Sequence, residues 1–280
     1  MACIYPRFPG GLDRALTMSY DDGVETDRRL IDIMRAHGLK GTFNINAGCF
    51  APEGTVYPAG TVHRRMSKSD CVALYRDSGM EVALHGYRHA WLTCLPKTEM
   101  LEEIAHDRRD LETLFGTLVR GGAYAFGAYN ASALETLRAC GIVYCRTCNS
   151  THAFGIPEDW LTLAPTCHHD DPRLFELVDR FLAAPSFGAP QLFYLWGHSY
   201  EFDGKNNWQR MEEFAEKTGG RDNVWYATNI EIYDYMEAYH RLRFSLDGTR
   251  VCNPSCLSVF FSVEGKIHCV APGETLIVSV

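Results

Sequence analysis

At 280 residues, 46% of them hydrophobic and 22% charged, the chain can bury a large core as one α/β barrel or as two smaller domains. A formal net charge of −8, with no Lys/Arg-rich run, argues against a nucleic-acid partner, since phosphate binding needs a basic surface. The 11 cysteines are scattered without regular spacing, and Cys145-Arg146-Thr147-Cys148 has no second such pair, so reduced thiols fit better than a zinc ribbon.

The start, Met1-Ala2-Cys3-Ile4-Tyr5-Pro6-Arg7-Phe8-Pro9, has no basic segment followed by an apolar core, and no stretch reaches the ~18 apolar residues of a membrane span. A cytoplasmic location with no membrane partner is the expectation. Oligomeric state leaves no signature.

In chain order, Ala15 to Tyr20 is a short apolar strand. Glu25 to His37 is a helix with Leu30, Ile31, Ile33 and Met34 at helical spacing, stopped by Gly38. Gly41 to Asn46 is β-like, Ser69 to Asp77 helical, and Met80 to Leu84 β again. Glu99 to Phe115 is a long charged-and-apolar helix broken by Gly116. Ala123 to Phe126, Ser132 to Ala139 and Val143 to Cys145 continue the β-α-β rhythm, which Pro172 to Ala183 and Gln191 to Trp196 repeat. Such alternation means parallel strands with crossover helices. A closed or nearly closed (β/α) barrel of about seven or eight units fits the length, with an open doubly wound sheet as the competing architecture.

The tail changes character after a helix over Asn229 to Arg241, whose apolar stripe is Tyr233, Met236 and Tyr239. Strand runs over Arg243 to Leu246, Thr249 to Val251, Cys256 to Val263, Lys266 to Val270 and Thr275 to Val280 are hinged on Asp247-Gly248 and Glu264-Gly265, the signal of antiparallel hairpins. The expected division is a barrel over residues 1–242 and a small antiparallel β appendage over 243–280. A cap on the barrel and a carbohydrate-binding module are the two readings of that appendage.

Chemistry concentrates where two of the strands end. Ser19-Tyr20-Asp21-Asp22-Gly23 closes the first strand, and His85-Gly86-Tyr87-Arg88-His89 follows Met80 to Leu84. Two imidazoles and one carboxylate can hold a Zn2+-like ion with a position open for water, and the neighbouring carboxylate can take that water's proton. Either string alone is common in turns or as a packed histidine; the pair, each after an apolar strand, is specific.

At these two strings the chain resembles the polysaccharide deacetylases, the NodB-homology carbohydrate esterases, over roughly residues 12 to 240. The resemblance implies a distorted (β/α) barrel of about seven strands. It implies one divalent metal ion, Zn2+ or else Co2+, Ni2+ or Mn2+, on Asp22, His85 and His89, with Asp21 as general base. His198, ending Phe193-Tyr194-Leu195-Trp196-Gly197-His198, corresponds to the acid that protonates the leaving amine, and Trp196 to the apolar wall of the acetyl pocket. A histidine that merely caps its strand is the alternative for His198.

The third family motif departs from pattern. Its match, Ala123-Tyr124-Ala125-Phe126-Gly127, keeps Gly127 and offers the Phe126 N–H as oxyanion donor, but alanines stand at the Arg and Pro positions. The fourth motif has no convincing copy; Glu158-Asp159-Trp160 is the nearest string. Joint loss of both partners means that another group orients Asp21, and Arg146 is the candidate guanidinium. His168 and His169 either line the cleft or lie in a solvated loop. The loops Gly48 to Lys68 and Asn149 to Asp171 are long enough to shape the rim.

These features imply a metal-dependent hydrolase that removes an acetyl or other acyl group from an N-acetylated sugar or related carbohydrate amide. A cytosolic hydrolase of another C–N bond, an amide or ureide, is the runner-up. A barrel that binds carbohydrate without turning it over is the alternative outside enzymes, with the altered motifs in its favour.

Overall fold

In a computed structural model, residues 3–183 and 188–278 are described. The core is a parallel sheet of β2 (Arg14–Asp21), β3 (Gly41–Ile45), β4 (Glu81–Leu84), β5 (Gly121–Ala123), β6 (Tyr144–Arg146), β7 (Cys167–His168) and β8 (Gln191–Gly197). Their order is β6-β5-β4-β3-β2-β8-β7, and β9 (Trp225–Tyr226) also pairs with β2. Every residue of β2 is buried although polar side chains alternate with apolar ones from Leu16 to Asp21; Thr17, Ser19 and Asp21 are buried on side-chain hydrogen bonds.

The sheet curls into a half-barrel. Across the gap between its edge strands runs a single segment: Leu163 bridges to Arg146 of β6, and a few residues later the Thr166 N–H donates to the Tyr194 carbonyl of β8 at 2.8 Å. This is the distorted (β/α) barrel of about seven strands expected from the sequence. Register sets Asp21 beside Asn44, Ala123 beside Arg146, and His168 beside Trp196, so the polar residues collect on the C-terminal rim.

Crossover helices cover the sheet: α1 (Asp27–Ala36), α2 (Lys68–Tyr75), α3 (Lys97–Phe115), α4 (Ala131–Ala139), α5 (Leu174–Ala183), α6 (Tyr200–Lys205), α7 (Trp208–Thr218) and α8 (Asn229–His240). α1 buries Leu30, Ile31 and Met34 against the barrel, and α3 ends where Gly116 takes φ +70°. The strand expected over Ala123 to Phe126 lies earlier, as β5 over Gly121–Ala123, and shares only Ala123 with the expectation, because Phe126 and Gly127 both adopt positive φ (+60° and +67°) in a tight turn.

The tail forms two three-stranded antiparallel sheets. One joins β10 (Arg243–Phe244), β11 (Arg250–Cys252) and β14 (Thr275–Ile277); the other joins β12 (Val259–Val263), β13 (Lys266–Val270) and the N-terminal β1 (Ile4–Arg7). The β12–β13 hairpin turns on Glu264 and Gly265, both at positive φ, as a two-residue turn requires. The final expected strand ends at Ile277, and residues 279–280 lie outside the described residues. β1 was not anticipated; its Pro6 sits on an edge strand, where a missing N–H does no harm. α8 bridges barrel and tail: the Tyr235 hydroxyl donates to the Arg7 carbonyl at 2.7 Å and accepts from the Phe260 N–H at 2.9 Å. That double duty buries Ile232, Tyr235 and Met236, and leaves Tyr233 and Tyr239 of the expected stripe half-buried. Among the described residues no helix is long and apolar enough to cross a membrane.

Candidate active site

Asp21 ends β2 at 2% exposure and is held on both oxygens. The Asn44 amide donates to Oδ1 at 2.8 Å, and the Arg146 guanidinium donates to Oδ2. Arg146 is fully buried and lies 4.4 Å over the Trp196 ring, a cation–π shelf that fixes the fork. Burial would raise the Asp21 pKa; Arg146, then His85 and His198, outweigh it and hold the carboxyl below its ordinary value. Because Ala123 and Arg146 are register partners on adjacent strands, an arginine one strand over reaches the carboxylate that the family's third motif would serve. Glu158-Asp159-Trp160 takes no part: Asp159 caps the Leu161 N–H at 2.9 Å and faces Arg138.

Asp22, His85 and His89 present donor atoms that all lie within 4.8 Å of one another. Bonds of ~2.0–2.2 Å at tetrahedral angles put ligand atoms about 3.3–3.6 Å apart, so a slight contraction suffices. His85 Nδ1 meets the Ala123 carbonyl at 2.9 Å, which leaves Nε2 facing the cluster, 3.8 Å from Asp21 Oδ2. Burial, then the neighbouring His85, lower the His89 pKa to about 4, keeping its ring neutral with a lone pair to give. Asp22 (φ +84°) and His89 (φ +57°) both sit in the left-handed region, a backbone strain that persists where surrounding contacts hold it. The residues fit a divalent ion.

The backbone beneath is fixed by Asp107 of α3, fully buried, which accepts the N–H of Ala47 at 2.7 Å and of His85 at 3.0 Å.

His198 follows β8 and places Nε2 3.8 Å from Asp21 Oδ2, the same oxygen that His85 faces. Its Nδ1 meets Glu201 Oε1 at 3.1 Å. Burial lowers the His198 pKa, but the Glu201 hydrogen bond and the Asp21 charge outweigh it and raise the value above that of ordinary imidazole. Removing that negative charge by Glu201→Gln should therefore move the alkaline limb of the pH–rate profile to lower pH, since the charged ring loses its anionic partner. An unmoved limb would remove His198 as the group that titrates there.

Trp196 is 9% exposed and also meets the His168 ring edge-on at 4.7 Å between centroids. Phe126 is half exposed; its ring stacks on Trp91 and meets His89 edge-on, each at 4.6 Å. His168 and His169 are on the rim and not in a solvated loop, with His169 almost fully buried.

Several residues at the site escaped the sequence reading. Arg65 donates to Asp22 Oδ1 at 2.9 Å and to its carbonyl at 3.0 Å, and His63 reaches Asp22 Oδ2 at 3.1 Å. Burial would raise the Asp22 pKa, but His63, His85 and Arg65 hold it well below the carboxylate range. Each carboxylate oxygen has a second lone pair, so these contacts leave room for a metal. Both residues come from the long loop expected to shape the rim, yet adjacent Arg64 points away to Glu25 and Asp203, a choice no periodicity encodes. Glu201 had a usable signal, its position three residues after His198 at a helix start.

A parallel sheet curled into a half-barrel, with its charged groups gathered on the C-terminal rim, places the chain in the class of (β/α)-barrel proteins. Within that class, residues 11–145 match the model of the polysaccharide deacetylase family. The match takes in Asp21, Asp22, His85 and His89 and ends one residue before Arg146. Among solved structures, a putative polysaccharide deacetylase from Mycobacterium smegmatis is similar with a TM-score of 0.59 at 17% identity, covering 84% of this chain and 94% of that one. A Streptococcus pyogenes deacetylase in complex with acetate gives 0.45 at 17% identity, with 52% and 61% covered. A family 4 carbohydrate esterase pseudoenzyme from Bacillus anthracis gives 0.48 at 13%, with 78% and 65% covered. The chain thus spans less than two thirds of the latter two, and the likeness to the Mycobacterium smegmatis protein speaks to the fold alone. No curated protein matches it by sequence.

Proposed function

We propose that the chain is a metal-dependent deacetylase that hydrolyses the acetamido, or a related acyl-amide, bond of an N-acetylated sugar. The observation that carries this reading is the double approach to one oxygen: His85 Nε2 and His198 Nε2 each lie 3.8 Å from Asp21 Oδ2, between the metal-ligand cluster and the acid. Asp22, His85 and His89 would hold the ion, with Zn2+ favoured by a set of two imidazoles and one carboxylate and Co2+, Ni2+ or Mn2+ able to serve. Such an ion, when bound, makes water nucleophilic at neutral pH and offsets charge on the tetrahedral oxygen.

The chain's own groups do the rest. Asp21, kept ionised by Arg146 and fixed by Asn44, accepts the proton of the attacking water. His198, its Nδ1 held by Glu201, donates from Nε2 to the leaving amine. The Phe126 N–H is assigned to the oxyanion and Trp196 to the acetyl methyl. His168 and His169 border the acid's side of the cleft.

The loop bearing His63 and Arg65 closes over Asp22, and it should narrow the cleft to one or two sugar units. Monomeric N-acetyl sugars should then release acetate at least as fast as long chitin-like oligomers, read by acetate assay. A rate climbing with each added unit would indicate an open groove. Binding of these sugars without any release would favour the non-catalytic reading.

A further inference from the structure

Beside the proposed active site the rim carries a second convergence of donor atoms. His169, directly after β7, is 1% exposed, and neither ring nitrogen has a hydrogen-bond partner in line. Its Nε2 nevertheless stands 3.0 Å from Glu201 Oε2 and 3.4 Å from Asp170 Oδ2. Glu201 Oε2 is itself buried without a hydrogen bond. Donor atoms of His168, His169, Asp170 and Glu201 all lie within 4.8 Å of one another.

The His169 ring cannot turn away from this arrangement. It is stacked between Tyr20 and Phe202, at 5.8 Å and 4.2 Å between centroids. It also passes over Gly197, where a Cβ would stand 2.1 Å from Nδ1, so only glycine admits the ring there. A neutral imidazole nitrogen is either an N–H or a lone pair. As an N–H, Nε2 cannot serve two carboxylate oxygens off its axis; as a lone pair, it faces two anions that share the one half-exposed ammonium of Lys205. A cation seated among the three atoms resolves both conditions.

The geometry points to a second divalent-cation site, held by His169 Nε2, Asp170 Oδ2 and Glu201 Oε2 and separate from the Asp22 cluster. One imidazole and two carboxylates suit a borderline ion of the Zn2+, Co2+ or Mn2+ kind. His168 is the supporting partner. The Asp170 N–H donates to its Nδ1 at 3.1 Å, so the neutral ring carries its proton on Nε2, 3.3 Å from Glu201 Oε2. Lys205 pairs with Asp170 Oδ2 and lies 4.0 Å from Glu201 Oε2, one ammonium against two carboxylates. Its side chain is 54% exposed on a flexible stem, free to withdraw when an ion enters. Because the other Glu201 oxygen holds His198, an ion here would lock the partner of the proposed acid.

The site does not depend on an ion at Asp22, and a titration with Co2+ alone separates the two. Metal-stripped full-length protein is titrated and its bound ions counted, with thiolate-to-Co2+ absorption bands marking any binding by cysteine. Wild type should bind two ions outside thiols, Asp170→Asn one, Asp22→Ala one, and the double variant none. Lys205→Met should keep both and bind the second at least as tightly. An Asp170→Asn protein that keeps the full wild-type count overturns the second site. A single wild-type ion lost by Asp170→Asn but kept by Asp22→Ala upholds this site and overturns the Asp22 cluster instead.

Discussion

Asp21→Asn is expected to lower turnover by ~10²–10⁴, the usual contribution of a positioned base, while an ion on Asp22, His85 and His89 remains bound. The amide keeps the shape of the carboxylate and can still accept from Asn44 or from Arg146, but it cannot take the proton of the attacking water. The substitution also leaves the Arg146 charge buried without its partner, so a melting curve and a metal count belong beside the kinetics. A protein that is folded, metal-loaded and a hundredfold or more slower fits the proposed role. Turnover close to wild type would place the base elsewhere on the rim.

Arg146→Met should cost about 3–5 kcal/mol of stability, because it strands the Asp21 carboxylate in a site with 2% exposure. Loss of the guanidinium also removes the chief group holding the Asp21 pKa down, so the acid limb of the pH–rate profile should move to higher pH. The sign follows from the carboxylate's need to be ionised: activity is lost as pH falls through its folded pKa, and its stabilising contribution, complete above the unfolded pKa, is lost as pH falls through the lower folded one. Arg146→Lys should rescue little, since an ammonium cannot make the flat stack on Trp196. The double variant Arg146→Met/Asp21→Asn should recover part of the stability, with no charge left buried alone. Wild-type melting and an unmoved acid limb in Arg146→Met would show that Asp21 is held by other groups.

The parallel half-barrel was legible because a strand covered on both faces, such as β8, appears as an apolar run, and because amphipathic helices intervene at regular intervals. The two-residue β7 and the short α6 were not legible; neither is long enough to show a period, and Gly204 interrupts the second. Pairing of β1 with β12 joins segments about 250 residues apart and leaves no local trace.

At the site, Asp21, Asp22, His85 and His89 stood out because short polar strings close apolar strands. Arg146 could be proposed from the family motif that lacks its arginine, since a buried carboxylate needs a compensating charge. Arg65, His63 and Asn44 were not found: two depend on the path of an irregular loop, and the third on which way a polar residue faces inside a buried strand. Glu201 was within reach from its place three residues after His198, whereas the His169 cluster depends on α6 folding back over β7, beyond the reach of pattern.

The most direct measurement is acetate release from an N-acetylated sugar by protein stripped of divalent ions and then reloaded with Zn2+. Stripping should abolish release, reloading should restore it, and Asp22→Ala should remain inactive at any added Zn2+ concentration. Release that survives complete stripping, or that no divalent ion supports in a folded protein, would contradict a metal-dependent deacetylase.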